Sequence, residues 1–114
     1  MKIGLVGNNQ EIKDILKLFS NIAIKSIGIF SSENEKINIK KINIKYYFDF
    51  DKLLNNSDAI FFLSEEKSFF EFAKKTIQQS KHIFINNISN LTQETTKQLF
   101  KLSAEAKTNI QIRQ

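Results

Sequence analysis

The chain contains no cysteine, no proline and no tryptophan, and only one histidine, His82, and one arginine, Arg113. Without cysteine there is no disulfide, no thiol nucleophile and no thiolate metal site. His82 alone cannot build a multi-histidine metal centre within one chain. No metal site is expected. With no proline, and glycine only at positions 4, 7 and 28, no stretch reads as an interdomain linker. Long apolar runs are also missing. The first, Ile3 to Gly7, gives way to Asn8, Asn9 and Gln10. It is too short for a signal-peptide core, and nothing nears the roughly 20 apolar residues of a membrane span. The expectation is a cytoplasmic protein with no membrane partner.

What remains is an ordinary globular composition, 41% hydrophobic and 25% charged, over 114 residues. That length predicts a single domain, 1–114, able to bury on the order of 65% of its unfolded surface. The net charge is +5. A basic balance can serve nucleic acid, but the lysines are scattered and the arginine forks that read phosphates and bases are absent. The lysines read mainly as solvated faces, and nucleic acid is disfavoured as a partner. A polyanion-binding module stays as an alternative if Lys36, Lys40, Lys41 and Lys45 share one surface.

Along the chain, strand and helix patterns alternate. Residues 2–7 form an apolar run ending at Gly7 and read as a buried strand. From Gln10 to Phe19, Ile12, Ile15, Leu16 and Phe19 recur at helical spacing, with Asn8 or Asn9 as N-cap. A strand follows from Ile24 to Phe30. Lys36-Ile-Asn-Ile-Lys40 is repeated at once as Lys41-Ile-Asn-Ile-Lys45. Its period-2 alternation predicts a strand, read as a sheet edge protected by lysines. Residues 49–56 predict a short helix with Leu53 and Leu54 inward. Ala59-Ile-Phe-Phe-Leu63 is a strand with Phe61 and Phe62 in the core. Residues 66–79 predict a helix started by Ser64 or Glu65. Lys81-His-Ile-Phe-Ile85 is a strand with Phe84 in the core. A helix begins at Thr92 or Thr95, with Leu99, Phe100, Leu102 and Ala106 apolar. Asn109-Ile-Gln-Ile-Arg113 is the last strand. This alternation predicts an α/β three-layer sandwich on a mostly parallel sheet.

A strand, a glycine and a helix at the start stand where a Rossmann domain carries its phosphate turn. Asp58-Ala-Ile-Phe-Phe-Leu63, a helix, then Lys81-His-Ile-Phe-Ile-Asn-Asn-Ile-Ser-Asn-Leu-Thr92 and another helix resemble the N-terminal domain of the Gfo/Idh/MocA oxidoreductases. The resemblance covers nearly the whole chain but lacks the family's second, substrate-binding domain. It implies six strands in the order 3-2-1-4-5-6, and NAD or NADP as cofactor. By position it nominates Gly7, Asn8, Asn9, Ser31 and Ser64 as the cofactor-binding residues.

The family motifs are degraded. The G-x-G-x-x-G turn reads Gly7-Asn8-Asn9-Gln10-Glu11-Ile12, so only the first glycine remains. Side chains at Asn9 and Ile12 would crowd the turn, and Glu11 would bring negative charge to the phosphates. The acidic ribose ligand is replaced by Ser31 or Ser32, with Glu33 displaced. The T-P-x-x-x-H stretch becomes Ser64-Glu65-Glu66-Lys67-Ser68-Phe69, and the E-K-P motif becomes Asn86-Asn87-Ile88. In the family that lysine is catalytic; Asn87 carries no proton to relay.

No catalytic residue is therefore nominated. Gly7 reads either as the remnant of a phosphate turn or as a strand end with positive φ. His82 reads as a base or as a structural group at a sheet end. Glu65 and Glu66 read as an acid pair or as partners of a helix dipole. Asn86, Asn87 and Asn90 read as ligand amides or loop caps. Phe69 reads as filler of a vacated cleft or as part of an exposed patch. The function expected is that of a non-catalytic, stand-alone domain acting by binding or self-association, as a homo-oligomer or with a protein partner. No cofactor is then expected. The alternative is an oxidoreductase subunit that holds NAD or NADP while another chain supplies the substrate domain.

Overall fold

The computed structural model describes residues 2–19, 26–31, 43–63, 68–86 and 92–113. In chain order the elements are β1 (Ile3–Val6), α1 (Asn9–Phe19), β2 (Ser26–Phe30), β3 (Asn43–Tyr46) and α2 (Phe50–Asn55). Then follow β4 (Ala59–Phe62), α3 (Phe69–Gln78), β5 (His82–Asn86), α4 (Gln93–Ala106) and β6 (Ile110–Arg113). The six strands form one sheet in the order β3-β2-β1-β4-β5-β6, and every pairing is parallel. This is the Rossmann-like three-layer sandwich expected from the sequence. The second copy of the lysine repeat supplies β3, which is an edge strand, with Lys45 exposed. The first copy lies outside the described residues.

Strand side chains alternate between the two sheet faces. On one face Val6, Ile60, Phe62, Ile83 and Ile85 pack against α2, α3 and α4 through Phe50, Leu53, Leu54, Phe69, Ala73, Ile77 and Leu99. On the other, Ile3, Leu5, Ile27 and Ile29 pack against Ile12, Leu16 and Phe19 of α1. Each fully buried aliphatic or aromatic side chain is worth roughly 1.5–3 kcal/mol, so these two clusters carry the fold.

Two of the chain's few glycines set the depth of α2. Gly4 and Gly28 are register partners on β1 and β2. A Cβ on Gly28 would meet Leu53 Cδ1 at 2.7 Å and Tyr47 Cε2 at 2.8 Å; one on Gly4 would meet Ile60 Cδ1 at 2.7 Å and Ser57 Oγ at 2.8 Å. The glycine pair is a hollow into which Leu53 descends. Ser57 Oγ, buried beside it, donates to Leu53 O at 2.7 Å.

Scarcity of glycine shows at two helix ends. Ser80, after α3, has φ 58°, and Lys107, the C-cap of α4, has φ 57°. Left-handed helix ends usually take glycine, which has no Cβ to clash there.

Several expectations need correction. Gly7 is buried but has no positive φ; its N–H donates to Phe30 O at 3.4 Å where the chain bends after β1. The cap of α3 is Ser68, without a side-chain capping bond, and not Ser64 or Glu65; residues 64–67 lie outside the described residues. Of the strand phenylalanines assigned to the core, only Phe62 is fully buried. Phe61 and Phe84 fall on the α1 face and are half-buried: Phe61 meets Phe19 at the end of that helix, and Phe84 stacks on Phe61 beside it. Phe69 is no exposed patch: it lies edge-on to Phe62 with ring centroids 5.3 Å apart, in the core.

Candidate functional site

In a parallel sheet of this order, ligands bind beyond the carboxyl ends of the strands where the connections diverge, between β1 and β4. The residues at that edge are Gly7 and Asn8 after β1, Ser31 after β2, Leu63 after β4, and Asn86 at the end of β5. Ser64, Asn87 and Asn90 lie outside the described residues, as do Ser32, Glu33, Glu65 and Glu66.

The structure brings Gly7, Asn8, Asn9 and Ser31 together. Asn8 caps α1, its Oδ1 accepting from Glu11 N at 2.9 Å while its carbonyl accepts from Ile12 N at 3.1 Å. Short polar side chains cap helices because the first-turn N–H groups have no intrahelical partner. The same N–H groups would face phosphate oxygens in a nucleotide turn. Here one of them, that of Glu11, is held by a side chain.

Asn9 is the less expected residue. Its residue is only 3% exposed, and its Oδ1 accepts from Ser31 Oγ at 3.1 Å. Position 9 is where the fingerprint places its second glycine, so that backbone can approach a pyrophosphate. Ser31 is one of the two serines, with Ser32, that stand where the resemblance places a ribose-binding acid. In this chain a hydrogen bond between the Asn9 and Ser31 side chains ties the start of α1 to the end of β2.

Glu11 is also changed by its setting. Its Oε2 is buried without a hydrogen-bond partner. Burial raises the carboxyl above its ordinary range, a hydrogen bond with the Asn8 side chain partly offsets this, and Asp14 one turn on adds to the rise. The sequence had signalled a negative charge at the turn. It could not signal that one oxygen would be shut away from water.

The other candidates fall elsewhere. His82 stands at the opposite end of the sheet, exposed at the start of β5, where its Nδ1 accepts from Asn109 N at 3.4 Å. That is a structural position, remote from the carboxyl edge. Lys45 packs its Nζ over the Tyr47 ring, 5.4 Å from the centroid. Lys36, Lys40 and Lys41 lie outside the described residues. Among the described residues there is no group of three or more metal-ligating side chains. No helix among them is long and apolar enough to cross a membrane.

No protein-family model matches the chain, and no curated protein sequence does. Solved structures do match. Homoserine dehydrogenase of S. aureus at pH 6.0 superposes with a TM-score of 0.81 at 18% identity, over 98% of this chain and 32% of that one. UDP-N-acetylglucosamine 3-dehydrogenase from Acidithiobacillus ferrooxidans gives 0.76 at 18% identity, over 98% and 37%. A probable oxidoreductase, yhhX, gives 0.79 at 16% identity, over 98% and 35%. The chain thus spans about a third of the length of the proteins it matches. At these identities the likeness is one of fold, and the resemblance read from the strand motifs holds at that level.

Proposed function

We propose that this chain is a non-catalytic Rossmann-like domain that acts by binding or self-association, with its nucleotide turn closed by its own side chains. The observation that carries this reading is the buried Asn9 side chain hydrogen-bonded to Ser31. A pyrophosphate approaching this turn must displace Asn9, break the Asn8–Glu11 cap and tolerate the Glu11 carboxylate. Each of these opposes binding, and the residues present do not fit the dinucleotide that the fold commonly carries. No hydride-transfer step is assigned to the chain.

The test is thermal unfolding with and without NAD(H) and NADP(H). Ligand at about 100 times its dissociation constant stabilises by roughly 2.7 kcal/mol, on the order of 10 °C for a domain of this size. The expected result is no shift with either cofactor. A clear shift would overturn the reading.

A second reading is favoured by one observation, the match to dehydrogenase structures over nearly the whole chain. In it the domain holds NAD or NADP and a further domain supplies the substrate site. Cofactor affinity separates the two. The reading predicts binding that Asn9→Gly strengthens, since that change removes the obstructing amide.

A further inference from the structure

We draw no further inference here: the strongest candidate, the Phe48 side chain on the turn between β3 and α2 at the carboxyl edge of the sheet, 93% exposed, carries none because nothing in the structure shows what covers it.

Discussion

The two faces of the sheet are built to different rules. The face under α2, α3 and α4 is apolar from β1 to β6, from Val6 through Ile60, Phe62, Ile83 and Ile85 to Ile110 and Ile112, and turns polar only toward the β3 edge, where Lys45 is exposed. An aromatic group joins its elements at the carboxyl end: Phe50 of α2 stacks on Phe72 of α3 with centroids 4.2 Å apart, and Phe30 meets both rings edge-on. The face under α1 is apolar beneath that helix and, past it, sets His82 and Gln111 beside Phe84. The comparison teaches that strand polarity records which part of a sheet is covered. β5 shows this within five residues, since His82, Phe84 and Asn86 alternate with Ile83 and Ile85.

The sharpest way to break this comparison is to cut one ring from each face. Phe62 has no exposure, and its neighbour Phe61 is half-buried. Phe62→Ala should cost about 3–5 kcal/mol, a fall in melting temperature on the order of 15 °C or more. Phe84→Ala at the margin of the α1 face should cost less, because its side chain is only partly buried. Equal losses from the two variants, measured by thermal unfolding, would mean that Phe84 is as fully enclosed in solution as Phe62. Gly28→Ala comes next. It drives a methyl against Leu53 and the Tyr47 ring and should cost about 1–3 kcal/mol by overpacking. In the opposite direction, Lys107→Gly should stabilise by about 0.5–1 kcal/mol, a few degrees, by relieving a left-handed backbone at the end of α4.

Much of this fold was legible because period and punctuation agreed. Residues 59–63 and 82–86 are short apolar or alternating runs, and Ile12, Leu16 and Phe19 lie on one helical face. Thr92 was readable as a cap because its hydroxyl oxygen can accept from a first-turn N–H, here that of Thr95 at 3.1 Å. Less was legible where a residue's role depends on distant neighbours. Phe61 and Phe62 are adjacent and chemically identical, yet Phe62 packs under α2 and α3 and Phe61 lies at the margin of α1. Local pattern gives the alternation but not the length of the helix above it. The polar residues at 82, 109 and 111 were the available signal, legible only once β5 and β6 are known to be adjacent. At the site, the sequence could say that Asn9 replaces a glycine. The hydrogen bond to Ser31, 22 positions on, requires the register of β1 and β2.

The smallest effects lie at opposite ends of the sheet and should run in opposite senses with pH. Glu11, at the carboxyl edge, has its carboxyl raised chiefly by burial. A raised acid binds its proton more tightly folded than unfolded, so its contribution to stability falls as pH rises through that window. Asp58, at the amino edge, is lowered, first because its Oδ2 accepts from Lys2 N at 2.8 Å. Its contribution is present above the ordinary aspartate range and is lost as pH falls through the lowered value. Melting temperatures from about pH 3 to about pH 8 should therefore diverge in two ways. Glu11→Gln should gain on wild type as pH rises. Asp58→Asn should lose on wild type at neutral pH and rejoin it in acid. The Asp58 effect should be the smaller, because its carboxylate is fully exposed and screened by solvent. Parallel curves for wild type and Glu11→Gln would mean that Oε2 is hydrated in solution, and the turn at Asn8 and Asn9 would then be more open to a ligand than its side-chain hydrogen bonds imply.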